Sequence, residues 1–529
     1  MRKKISTQSP KRATISCSHP PRPAKHERGE GWGEGLQCPF CSARPARAGT
    51  AQRCAVPTII GQTQFRNSGS RCALIILSAA LAVLGVAADR KGGARGLPAS
   101  EFRAEVPAHP FDVILARPTS TGMTLSVLSY QDDEGVIAYG IQPDKLTDHT
   151  PPRRLQAGVP VEFALSSLRP DTPYFYEYRP RRAPGMASTF HTARPPGSSF
   201  TFTLQADSHL DRGTAPGVYL QSLTNARAAK PDFHIDLGDT FMTEKYAEFR
   251  QAAPQYLAQR YYFGVIGQAA PVFLALGNHD GEMGRYSDGT ATNMTIWANA
   301  LRKKYFPNPR PDGFYTGNAT PDKTAGLLEN YYAWEWSDAL FVVLDPFWFT
   351  PRAQRDSDNW YRTLGRTQYD WLKQTLETSR AKYKFIFIHH LVGGETREGR
   401  GGAEAAKFFE WGGRNLDGIA AFAAQRPGWP MPIHALLVQN KVSAVFHGHD
   451  HLYAKQDLDG IVYQEVPQPS HAGGDLRSAA EYGYRQGVLL PSPGILRLTV
   501  SPERAQVDFL RTEGTPGGSI AHSYTLLPH

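Results

Sequence analysis

An α/β domain preceded by a small all-β sandwich is the architecture this sequence predicts, and three observations predict it. Between residues 111 and 192, short alternating segments at 123–127, 136–140, 161–165, 174–178 and 189–192 are separated by turn residues, as in strands with one buried face. From residue 200 onward, apolar runs at 200–206, 233–237, 272–276, 340–344, 385–388 and 442–446 alternate with helical segments, the pattern of buried strands in an α/β sheet. Pro195-Pro196-Gly197 separates the two patterns.

Individual elements carry their own signals. Leu168-Arg-Pro-Asp-Thr-Pro-Tyr174 has the form of a tyrosine corner, which opens a late strand in fibronectin type III domains. A helix is expected over 367–379, with Thr367 and Asp370 as a capping box and Tyr369, Leu372 and Leu376 as the apolar stripe. Strands at 495–500 and 507–511 are expected to close the sheet. There are no internal repeats.

The N-terminus reads differently. Residues 73–88 (ALIILSAALAVLGVAA) follow Arg66 and Arg71 and end in small residues before Asp89, the make-up of a secretory signal. The alternative is a retained anchor, although the run is short of the ~20 residues a membrane span needs. Residues 1–72, rich in Gly, Pro and Arg, read as a disordered leader or upstream extension. All five cysteines (Cys17, Cys38, Cys41, Cys54, Cys72) fall there, so the exported chain would have neither disulfides nor thiol chemistry. The expected organisation continues with a linker at 89–106, the sandwich at 107–195 and the α/β domain at 198–515.

Charge argues against a dedicated nucleic-acid partner. Residues 1–88 hold 13 Lys and Arg against 3 Asp and Glu, a net of +10 that exceeds the +9 of the whole chain and leaves −1 for residues 89–529. The basic character belongs to the leader.

The chemistry sits at the ends of the apolar runs. The first leads into Asp207-Ser208-His209, the second into Gly238-Asp239, and the third into Gly277-Asn278-His279-Asp280. The fifth leads into His389-His390 and the sixth into His447-Gly448-His449-Asp450-His451. In α/β sheets, ligands bind just beyond the carboxyl ends of strands. One such aspartate is ordinarily a turn former, but five clusters in order deliver carboxylates, imidazoles and an amide to one face. Two cations about 3.5–4 Å apart need a shared carboxylate, and Asp239 is the best placed. Imidazole suits zinc, iron, nickel or copper, and carboxylates also admit manganese.

Together these motifs resemble the five ordered motifs of the calcineurin-like metallophosphoesterase superfamily. With the preceding sandwich, residues 110–515 are similar to purple acid phosphatase-like proteins that carry a fibronectin III-like domain. The resemblance implies a four-layer α/β metallophosphoesterase sandwich with two transition metal ions, drawn from Fe, Mn or Zn. Asp207, His209, Asp239 and His451 would hold one ion. Asp239, Asn278, His389 and His449 would hold the other, with His390 as fallback for His389. His279 would protonate the leaving group, oriented by Asp280. Purple acid phosphatases carry a tyrosine ligand where this chain has Met242, and their first motif lacks a histidine such as His209, so the tyrosinate–iron colour is expected to be absent.

The implied function is a secreted or periplasmic hydrolase of small phosphate monoesters, in which hydroxide shared by the metals attacks phosphorus. A phosphodiesterase or nucleotidase would use the same centre. A surface binding protein with a vestigial site would have lost ligands that are all present here. No stable membrane partner is expected unless 73–88 is retained as an anchor. The loop 393–413 reads first as a solvated surface loop; the alternative is a mobile loop at the rim of the site, where Arg397 or Arg400 could meet a phosphate.

Overall fold

Between Phe111 and His191 two antiparallel sheets face one another, of three and five strands. The computed structural model describes residues 96–354, 358–396, 398–514 and 517–529; the leader, the segment 73–88 and Arg397 lie outside the described residues. Val113, Leu125 and Phe163 of one sheet interleave with Ile137, Tyr176 and Phe190 of the other to form the sandwich core. Alternation marks the five expected strands, now seen at Met123–Ser129, Asp133–Gly140, Val161–Leu165, Pro173–Pro180 and Met186–His191. The tyrosine corner is present: the Tyr174 hydroxyl accepts from the Arg169 amide at 2.9 Å.

The sandwich docks on the rest of the chain through a second apolar cluster, where Ile114 and Leu128 meet Tyr256, Phe263 and Phe306. Arg260 is fully buried in this junction. Its guanidinium donates to the Ser126 hydroxyl (3.0 Å), the Ser126 carbonyl (2.8 Å) and the Tyr305 carbonyl (2.5 Å), tying a strand of the sandwich to the helix Ala253–Gly267.

Beyond residue 200 the apolar runs divide between two sheets, one of six strands and one of eight, rather than joining a single sheet. Phe200–Gln205, Phe233–Asp236 and Val272–Leu274 lie parallel in the first. Ala339–Val343, Tyr383–Phe387 and Ala444–His447 lie parallel in the second. Gly494–Val500 pairs antiparallel with Phe200–Gln205, and Ala505–Arg511 with Gly494–Val500, so these two strands extend the first sheet as expected. Phe202, Phe233, Phe341, Phe385 and Phe446 from the facing surfaces share one core. Helices Pro216–Ala228 and Ala253–Gly267 cover the outer face of the first sheet, and Arg366–Thr378 and Ile433–Gln439 cover that of the second. The result is four layers.

The helix Arg366–Thr378 buries Tyr369, Leu372 and Leu376, as its stripe predicts. Its start corrects the sequence reading. Gly365 occupies the N-cap, no side chain caps the helix, and Asp370 instead pairs with Arg366 one turn away at 2.6 Å. Among the described residues, no helix is long and apolar enough to cross a membrane.

Candidate metal centre

Because the two sheets stack face to face, the carboxyl ends of their parallel strands open on one region. Asp207 and Asp239 follow strands of the first sheet, and His389, His449 and His451 follow strands of the second. Asp207, Asp239, His449 and His451 all take left-handed backbone conformations, with φ of 58°, 56°, 83° and 59°. Non-glycine residues held there cost about 1–3 kcal/mol each, a strain that clusters at functional sites. Gly238, at φ +94°, has no room for a Cβ, which would lie 2.3 Å from the Gly277 nitrogen. That close approach brings the second and third motifs together.

Two triads of donor atoms result. Asp207, His209 and His451 form one, and Asp239, His389 and His449 the other. His451 Nε2 lies 3.4 Å from Asp207 Oδ1 and 3.2 Å from His209 Nε2. His389 Nε2 lies 3.2 Å from Asp239 Oδ2, 3.1 Å from Asn278 Oδ1 and 4.0 Å from Asp207 Oδ1, so the two triads adjoin. The His389 Nδ1 faces the Leu237 carbonyl at 2.9 Å. A carbonyl can only accept, so Nδ1 carries the hydrogen and Nε2 is turned inward as a donor of its lone pair.

The residues fit a pair of cations. Asp207 Oδ1, Asp239 Oδ2 and His449 Nε2 are buried and lack any hydrogen-bond partner, a costly condition that ligation would relieve. The centre is also electrostatically short of positive charge. Burial would lower the His389 imidazole, yet the Asp239 carboxylate beside it pushes it up to about 9.

His279 and Asp280 separate. The His279 ring is partly exposed, with Nε2 3.7 Å from Asp239 Oδ2 and Nδ1 2.9 Å from Glu244 Oε1. Asp280 is buried and its carboxylate accepts the amides of Gly277 (2.7 Å), Asp239 (3.2 Å), Thr240 (2.8 Å) and Phe241 (2.9 Å). Orientation of His279 by Asp280 is therefore corrected. Glu244 holds the ring, and Asp280 holds the backbone that presents Asp239. Burial, with Asp239 close by, raises the Asp280 carboxyl to about 7.

Other expectations resolve at the same place. His389 faces the centre, whereas His390 Nε2 meets Arg362 Nη1 at 3.2 Å. Arg400 is spent on the His449 carbonyl (2.7 Å) and the Asp450 carboxylate (3.0 Å), bracing the last motif instead of reaching for a phosphate. The loop around it is packed, with Ala405, Phe409 and Trp411 buried. Met242 lies in the apolar junction with the sandwich. Sequence reasoning missed Glu244, Gln468 (whose amide donates to the Asp207 carbonyl at 3.0 Å) and Glu465, which pairs with His447 at 2.6 Å beneath the last motif. None of them ends an apolar run, so they lacked the signal that exposed the others.

Residues 200–453 match the family of calcineurin-like phosphoesterases. This stretch is a calcineurin-like phosphoesterase domain, its family works through a dinuclear metal centre, and the chain is a phosphoric ester hydrolase. Two solved structures share its fold. One is PhoD, at 16% identity and a TM-score of 0.57, with 78% of this chain and 89% of that one covered. The other is the purple acid phosphatase PPD1 from yellow lupin (Lupinus luteus) seeds, at 14% identity and a TM-score of 0.52, covering 79% of this chain and 74% of that one. No curated protein sequence matches.

Proposed function

We propose that this chain is an exported two-metal hydrolase of small phosphate monoesters, of the purple acid phosphatase-like branch, with Fe, Mn or Zn as its metals. The observation that carries the reading is the adjacency of the two triads, in which His389 Nε2 lies 3.2 Å from Asp239 Oδ2 and 4.0 Å from Asp207 Oδ1. In this reading Asp207, His209 and His451 hold one ion, Asn278, His389 and His449 hold the other, and Asp239 is shared. When bound, the ions supply an acidified water and neutralise charge on the phosphoryl oxygens.

The chain's own residues do the rest. His279 and His451 keep some exposure while Asp207, Asp239 and His389 are buried, so substrate enters on the His279 and His451 side. Glu244 accepts from His279 Nδ1–H and leaves Nε2 facing the site; when the ring carries its second proton there, Nε2–H gives that proton to the departing alkoxide and the ring is left neutral. A monoester dianion carries one more negative charge than a diester, and a centre holding two cations favours it. Export rests on the segment 73–88.

The test is a panel of aryl and alkyl phosphomonoesters and phosphodiesters, assayed on metal-free protein reloaded with Mn, Zn or Fe. Monoesters are expected to show the higher kcat/KM. Faster diesters would make the chain a phosphodiesterase with the same centre.

A further inference from the structure

A third cluster of metal-ligand side chains adjoins the centre, made of His209, Asp211 and His471. Its geometry is that of a support. His209 Nε2 faces His451 within the first triad, while its Nδ1 lies 3.2 Å from Asp211 Oδ2, an ion-pair distance short of hydrogen-bond alignment that leaves Asp211 as the carboxylate beside it. Asp211 Oδ1 already accepts three donors: the amides of Gly213 (2.7 Å) and Thr214 (3.2 Å) and His471 Nε2 (2.7 Å). An oxygen so occupied is a poor ligand for a further cation. On its other side, His471 Nδ1 meets the Ser470 hydroxyl at 3.1 Å.

The chain is built to bring His471 there. Thr214 and His471 pair as an antiparallel bridge, and the Ala215 amide donates to the Ser470 carbonyl at 2.9 Å. At position 213 a Cβ would sit 2.6 Å from the His471 ring, so glycine is what admits it.

We propose that Asp211 and His471 are positioning residues for the first metal site: His471 steadies Asp211, and Asp211 fixes the His209 hydrogen on Nδ1 so that Nε2 is free to ligate. The inference rests on His209 being a ligand, as proposed above. Carboxylate–histidine–metal arrangements of this kind change metal affinity by about 10–100-fold when the carboxylate is altered.

Asp211→Asn separates positioning from folding. An asparagine oxygen keeps the turn amides of Gly213 and Thr214, but its NH2 then faces His209 Nδ1 and drives the hydrogen to Nε2. Asp211→Ala loses the turn but leaves the ring free to choose. The experiment is a Zn2+ titration of the metal-free full chain, with thermal unfolding of each variant. Wild type is expected to bind two ions. Asp211→Asn weakens one site 10–100-fold, at least as much as Asp211→Ala, while unfolding at the higher temperature of the two. His471→Gln weakens the same site less, and adding it to Asp211→Asn causes no further loss. His209→Ala removes that site. Two unchanged sites in Asp211→Asn would overturn the inference and leave the metal ligands standing, as would equal loss of both sites tracking the loss of stability. A third ion in wild type, absent from Asp211→Asn, would make the cluster a metal site and also overturn it. If His209→Ala kept both ions, the ligand assignment would fail, and this inference with it.

Discussion

Glu244 Oε1 lies 2.9 Å from His279 Nδ1, although 35 residues separate them and Asp280 is the histidine's neighbour in sequence. The carboxylate that orients the proposed acid comes from the short helical turn Thr243–Lys245, after the strand Phe233–Asp236. Asp280 serves the backbone beneath it.

Glu244→Gln is therefore expected to keep both metals and slow alkyl phosphates more than nitrophenyl phosphate. Elemental analysis beside steady-state rates on the two substrates checks this. Equal slowing of both would assign Glu244 to phosphate binding or to the loop itself.

Asp280→Ala is expected to act on folding and metal content. It strips four buried amides of their acceptor, and an unsatisfied buried donor costs about 1–3 kcal/mol. Denaturant unfolding should show a loss of several kcal/mol, with Asp239 displaced and metal lost. A stable, metal-replete variant with a selective defect on alkyl phosphates would return Asp280 to the acid.

His279→Ala separates the chemical step from metal binding. A general acid contributes roughly 10²–10⁴-fold, about 3–5 kcal/mol of barrier, in proportion to the leaving group's need for a proton. Both ions should remain, with alkyl phosphates slowed far more than nitrophenyl phosphate. Loss of an ion would place His279 among the ligands.

Arg260→Met tests the junction between sandwich and catalytic domain. Three short bonds from a buried guanidinium are lost and the Ser126 and Tyr305 carbonyls are left without that donor. Unfolding free energy should fall by several kcal/mol, since hydrogen bonds to charged groups contribute about 1.5–3 kcal/mol each. A change under 1 kcal/mol would mean that apolar packing around Tyr256 and Phe263 holds the junction alone.

The centre was legible because its residues are extensions of buried strands. Asp207, Asp239, His389 and His449 each follow an apolar run, and the run announces where the side chain emerges. Apolar runs do not announce their neighbours, however, and the division of six of them between two facing sheets comes from tertiary pairing. Phe111–Ala116 was missed as a strand because Asp112 and Ala116 blur its alternation; Asp112 is buried, and its carboxylate accepts from Tyr130 at 2.7 Å. Adjacency misled at Asp280, where a tight turn sends consecutive side chains to opposite sides. His471 and Glu244 sit in loops with no periodicity, and only the folded chain brings them to His209 and His279.

Asp239→Ala tests the shared-carboxylate claim most directly, with bound metal measured by elemental analysis on the purified full chain after reloading and desalting. Asp239 belongs to the second triad and is proposed to be shared with the first, so the variant is expected to retain less than one ion per chain and to lose hydrolysis of an aryl phosphate. Two tightly held ions in a folded Asp239→Ala protein would contradict the account.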